Sequence, residues 1–181
     1  MQRRELFSFL SSQLKPKAEK ESYLRPPYFG DIHAFDTECQ KCDGRCATLC
    51  QEQIIVINSD KTPSLDFSKS GCTYCDACAV SVSEEVLLGC AVSVSEEVLS
   101  GCAFGVLNKE DKKKIGAEIS INEKTCLSWM GVMCFSCKDP CLEDAIEFKA
   151  MFMPTIDMQK CTACGFCISR CPTLAIDVKV L

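Results

Sequence analysis

Cysteine governs what this chain can fold into. Seventeen of its 181 residues are cysteine, a share at which a short sequence reads as a disulfide or metal scaffold. They arrive in four groups separated by cysteine-free stretches. The first is Cys39, Cys42, Cys46 and Cys50, with two, three and three residues between them. The second is Cys72, Cys75 and Cys78, with two and two between them, followed at a distance by Cys90 and Cys102. The third is Cys126, Cys134, Cys137 and Cys141, with intervals of seven, two and three. The fourth is Cys161, Cys164, Cys167, Cys171 and Pro172, which is C-x2-C-x2-C-x3-C-P.

That last pattern points to a cubane iron–sulfur cluster. Three cysteines two residues apart wrap a tight loop around the cluster, while the fourth, on the following helix, turns to a neighbouring cluster. Zinc asks for separated C-x2-C or H-x3-H pairs, and the one histidine, His33, lies outside every group. No C-x2-C runs into a histidine, which excludes covalent haem. A thioredoxin-like dithiol would leave most of the cysteines without a role. Four groups of four ligands account for sixteen cysteines, so up to four 4Fe–4S clusters are expected, with one thiol to spare. By analogy with two-cluster ferredoxins, the first and second groups exchange Cys50 and a second-group cysteine. Cys126, Cys134 and Cys137 then take Cys171, and Cys161, Cys164 and Cys167 take Cys141.

Composition supports a chain that needs such staples. Apolar residues make up 47% of it, and removing cysteine leaves about 38%, too little for two small domains to fold without help. No apolar run approaches the length of a membrane span. Arg3 and Arg4 are not followed by an apolar export core, because Lys15, Lys17 and Lys20 intervene. A cytoplasmic location is therefore expected, where clustered thiols serve metal rather than disulfides.

The second group is irregular. The stretch from Cys78 to Leu87 recurs almost unchanged as Cys90 to Leu99, and a third copy starts at Cys102. A twelve-residue period is shorter than the usual solenoid units, and a local duplication is preferred to a functional repeat. Where a fourth ligand would follow Cys78 the chain has Val82, which cannot bind iron. The ligand must come from Cys90 or Cys102. Cys102 is favoured, because Ala103-Phe-Gly-Val-Leu107 supplies the small turn and apolar pair that follow the last cysteine of such motifs. Ser81-x-x-Glu84 and Ser93-x-x-Glu96 read as capping boxes of short helices.

A second pattern recurs around the cysteines. Ile54 to Ile57, a turn, and Pro63 to Phe67 lead into the second group; Ala145 to Phe148 and Pro154 to Asp157 lead into the fourth. Each reads as helix, strand, return strand and cluster loop. Glu118 to Ile121 and Ala175 to Val178 are positioned to close the second sheet. The expected fold is α+β: two tandem bacterial-type ferredoxin modules, each for two clusters, at 36–107 (with the duplicated loop 78–101) and 117–181. The charged stretch 108–116 reads as a linker. Segment 1–35 lacks cysteine. Leu6, Leu10 and Leu14, with Phe7 beside them, recur at helical spacing over 3–14, and Arg3, Arg4, Leu6, Phe7 and Leu10 are candidates for docking a partner, alongside the alternative that the helix packs on its own protein. Arg25-Pro26-Pro27-Tyr28 is rigid and extended.

In order and spacing these features resemble the NapF family, the ferredoxin-type accessory proteins of bacterial periplasmic nitrate reductase systems. The resemblance rests on Arg3-Arg4 with its apolar patch, the Arg25-Pro-Pro-aromatic-x-Gly30 segment, the four cysteines near residue 40, the seven-residue gap before Cys134 and the terminal C-P motif. The chain departs from it in an extra residue between Cys42 and Cys46 and in the duplicated loop. The resemblance implies an iron–sulfur protein, not an enzyme, that contacts the nitrate reductase catalytic subunit in the cytoplasm and helps its maturation.

The residues alone support a one-electron carrier or cluster holder without an obvious substrate pocket. The alternative is an electron-transfer subunit of a respiratory oxidoreductase complex. A catalytic cluster would need an iron lacking a cysteine, which only the irregular second group could offer. The formal charge of -5 becomes about -13 with four oxidised clusters. Basic partner surfaces are expected, and neither nucleic acid nor membrane insertion.

Overall fold

The computed structural model of the chain describes residues 22–79 and 101–181. The 3–14 helix with its docking candidates, both capping boxes and Cys90 lie outside the described residues. Among those described, no helix or strand is longer than five residues. Such short elements do not persist alone; they are held by what packs on them. Two halves with the same plan are joined by residues 108–116.

In the first half, helix α1 (Ala34–Glu38) passes through a 3-10 turn (Cys39–Lys41) to helix α2 (Arg45–Leu49). Strands β1 (Ile55–Ile57) and β2 (Pro63–Leu65) follow as an antiparallel hairpin, with Ile55 opposite Leu65. Its turn is knitted by Asp60, whose carboxylate accepts from both the amide and the hydroxyl of Thr62.

In the second half, β4 (Ile146–Lys149) and β5 (Met153–Ile156) form the matching hairpin, with Ile146 opposite Ile156. Of the three residues between the strands, Ala150 and Met151 have positive φ, which lets a short hairpin loop follow the right-handed strand twist. Helix α3 (Phe166–Arg170) corresponds to α2. Strands β3 (Ala117–Ile121) and β6 (Ile176–Val180) pair antiparallel over their full length and close this half. In β3 the alternation is clean: Ala117 and Ile119 are buried, Glu118 and Ser120 exposed. The mixed content of short helices and strands is α+β.

Two stretches differ from the expected layout. The first half begins upstream of residue 36. Leu24, Tyr28 and Phe35 are core residues, the Leu24 carbonyl accepts from the Leu65 amide, and Phe29 bridges antiparallel to Leu107. Residues 24–29 thus occupy the place that β3 holds in the second half. Pro26 and Pro27, lacking amide hydrogens, keep the stretch from becoming a regular strand. The second difference is the charged stretch, which is no loose linker. Asn108 caps a 3-10 turn (Lys109–Asp111), the Lys113 amide donates to the Pro27 carbonyl, and Ile115 is buried.

Candidate metal centres

Each fourth cysteine is set by one recurrent turn. Cys50, Cys102, Cys141 and Cys171 are each followed, three residues on, by a residue with positive φ: Gln53, Gly105, Asp144 and Leu174. In every case that residue's amide donates to the cysteine carbonyl, at 3.0 to 3.3 Å. One residue further, Ile54, Val106, Ala145 and Ala175 are buried. The apolar residue anchors the turn in the core and thereby aims the sulfur. In the second half, the amides of Ala145 and Ala175 also donate to the sulfurs of Cys141 and Cys171, at 3.4 and 3.2 Å.

The three-cysteine loops are built alike. Tyr74 and Ala163 have φ of 53° and 57°, and their amides donate to the sulfurs of Cys72 and Cys161, both at 3.4 Å. Asp76 and Gly165 follow at 63° and 88°. A left-handed conformation at a non-glycine residue costs about 1 to 2 kcal/mol, and such strain persists only where the surroundings demand it. Here it turns successive sulfurs toward one point. In the first group Gly44, at φ 77°, makes the corresponding turn and opens α2.

Together these loops ring four cavities. Cys39, Cys42, Cys46 and Cys102 line the first. Cys50, Cys72, Cys75 and Cys78 line the second. Cys126, Cys134, Cys137 and Cys171 line the third, and Cys141, Cys161, Cys164 and Cys167 the fourth. The five-residue helices link them in pairs: α2 carries Cys46 for the first and leads to Cys50 in the second, and α3 carries Cys167 for the fourth and leads to Cys171 in the third. All sixteen described cysteines are free thiols. Among the described residues no three Cys, His, Asp or Glu groups converge on a single ion.

Two observations test whether a cluster fits. Sulfurs that accept backbone amides are suited to carry negative charge, as thiolate ligands do. In the third cavity, Ser128 is buried and its hydroxyl has no protein partner; a sulfur-rich group in that cavity would accept its hydrogen bond. The residues fit a 4Fe–4S cluster, which when bound supplies reversible one-electron redox chemistry. Burial pushes the Cys46, Cys78 and Cys167 thiols up to about 12 and those of Cys39, Cys72 and Cys137 up to about 11, reinforced by neighbouring thiols. Metal must therefore displace protons to enter.

The seven-residue gap before Cys134 forms a loop stitched to the adjacent hairpin. The Val132 amide donates to the Leu127 carbonyl, and the Trp129 indole donates to the Pro154 carbonyl on β5 at 3.2 Å. Phe135 packs against Phe148 of β4, with ring centroids 4.8 Å apart and the planes tilted by 54°. Met130 and Met133 face solvent, at 62% and 69% exposure, so of Trp129 and Met130 it is Trp129 that packs. Sequence reasoning had no signal for the unpartnered Ser128 hydroxyl, nor for the positive φ values at Tyr74, Asp76 and Ala163.

Comparison with known proteins agrees with this geometry. The 4Fe-4S binding domain family matches residues 154–177. The ferredoxin-type protein NapF of Escherichia coli K12 is 27% identical over 162 residues, covering 87% of this chain and 85% of that protein. NapF of Haemophilus influenzae is 25% identical over 179 residues, covering 97% and 89%. The methylamine utilization ferredoxin-type protein MauM of Methylophilus methylotrophus is 25% identical over 173 residues, covering 91% and 73%. Fold and site thus define a ferredoxin-type iron–sulfur protein that binds 4Fe–4S and transfers electrons. Within that class the likeness to the NapF proteins spans most of the chain.

Proposed function

We propose that the chain is an electron carrier made of two tandem ferredoxin modules with four 4Fe–4S clusters, and that it is not itself a catalytic enzyme. The observation that carries this reading is the fourfold repetition of one site. Each cavity takes three cysteines from one group and a fourth from its neighbour. Cys102 follows the same rule as Cys50, Cys141 and Cys171, with the same turn behind it. Among the described residues no helix is long and apolar enough to cross a membrane. The resemblance to nitrate reductase accessory proteins extends the proposal: in the cytoplasm the protein meets the reductase catalytic subunit and assists its maturation.

Iron and acid-labile sulfide are to be counted per chain after anaerobic purification. About sixteen irons are expected; about twelve would remove one cluster from the reading, and zinc in place of iron would overturn it. For the partner, a tagged chain should recover the unexported, cofactor-free reductase subunit. Stable residence in a membrane complex would instead favour an oxidoreductase subunit.

A further inference from the structure

The two halves meet between the loops of the second and fourth cavities. The Cys72 amide donates to the Cys164 carbonyl at 2.6 Å. The Tyr74 hydroxyl donates to the Thr162 carbonyl at 2.6 Å and accepts from the Ile115 amide at 3.2 Å. Lys112 reaches the Tyr74 carbonyl and the Asp76 carboxylate from the joining stretch, and Lys114 reaches the Gln159 carbonyl. Each half also supplies a glycine at the seam. A Cβ on Gly71 would meet the Phe166 amide nitrogen at 2.5 Å and the Cys164 carbonyl at 2.7 Å, and one on Gly165 would strike the Phe67 ring. Both backbones therefore approach closer than any side chain allows.

This contact does more than glue the halves. Cys72 is a candidate ligand in the second cavity and Cys164 in the fourth. From sulfur to sulfur the route runs through the Cys72 side chain and backbone nitrogen, one short hydrogen bond, and the Cys164 carbonyl and side chain. Within each half, α2 and α3 already join first to second and fourth to third.

We infer that the seam is the electron bridge between the halves, so that the four centres form one path ordered first, second, fourth, third, with Gly71, Tyr74 and Gly165 as the positioning residues that fix its length. The step moves one electron only: the centre on Cys50, Cys72, Cys75 and Cys78 is oxidised by one electron as that on Cys141, Cys161, Cys164 and Cys167 is reduced by one, or the reverse. No bond forms and no proton leaves. The inference rests on the four-cluster reading proposed above.

The test uses full-length holoprotein, reduced stepwise with dithionite, and compares it with Gly71→Ala and Tyr74→Phe. Iron per chain, spin–spin splitting in the EPR spectrum and the rate of electron redistribution after flash photoreduction are measured together. Wild type should show splitting between centres of different halves. With iron unchanged, Gly71→Ala should weaken that splitting and slow redistribution several-fold. Tyr74→Phe, which keeps the ring and removes only the hydroxyl, should do the same to a lesser degree, and carries the test if Gly71→Ala fails to fold. Full iron without splitting across the halves, or variants with wild-type splitting and rate, would overturn the bridge and leave the four-cluster reading standing. Iron for fewer clusters, with the second or fourth absent, would overturn both.

Discussion

A single residue, Cys102, decides whether the first cavity can hold a full cluster. Its turn repeats that of Cys50, Cys141 and Cys171: Gly105 at φ 69° with its amide on the Cys102 carbonyl, and Val106 buried behind it. Cys102→Ala should therefore lower the iron content from about sixteen to about twelve per chain, whereas Cys90→Ala should leave it unchanged; iron analysis of the two variants decides between them. Ser128 offers a subtler readout. Its buried hydroxyl finds no protein partner beside the third cavity, and hydrogen bonds to cluster sulfur are among the determinants of reduction potential. Losing a donor leaves the reduced, more negative state less stabilised. Ser128→Ala should keep full iron and lower the potential of one centre in a redox titration followed by EPR, while the other centres stay where they are.

At the scale of elements, conformational economy falls on a few backbone positions. Gly44 opens α2 at φ 77°, and a Cβ there would stand 2.7 Å from Cγ1 of Ile57. Gly44→Ala combines a left-handed penalty with a displaced core side chain and should destabilise the holoprotein by about 1 to 3 kcal/mol, read as a lower melting temperature and faster iron release. Short apolar and β-branched runs recurring around the cysteines made both hairpins and the β3–β6 closure legible. The stretch from Leu24 to Phe35 was harder to place. Two prolines hide its strand-like role, and its contacts with Leu65 and Leu107 are distant in sequence. The run Lys109 to Lys114 looks like a solvated linker by composition. Its lysines nevertheless bind backbone carbonyls of both halves, a role that only the folded chain reveals. The cysteine intervals likewise defined the groups, yet the left-handed residues that aim the sulfurs, Tyr74, Asp76 and Ala163, carry no glycine to announce them.

For the whole molecule, metal and fold are one equilibrium. Elements of at most five residues and two-stranded sheets cannot offset the entropy of ordering this chain by themselves. Four of the cysteines, Cys46, Cys78, Cys102 and Cys137, are buried in its interior. Stripping the iron with an oxidant and chelator should therefore abolish the cooperative thermal transition and much of the far-ultraviolet dichroism, and a chain that kept both would refute metal-dependent folding. The direction of the pH effect follows from the thiols. Burial, aided by neighbouring thiols, raises Cys46, Cys78 and Cys167 to about 12 and Cys39, Cys72 and Cys137 to about 11, so throughout the neutral range each of these six must surrender a proton as iron binds. Lowering the pH strengthens the competing proton and weakens loading; raising it does the opposite. Reconstitution with iron and sulfide for a fixed time should thus yield more iron per chain at about pH 8.5 than at about pH 6.5. Iron uptake independent of pH would mean that the thiols are already ionised before metal arrives.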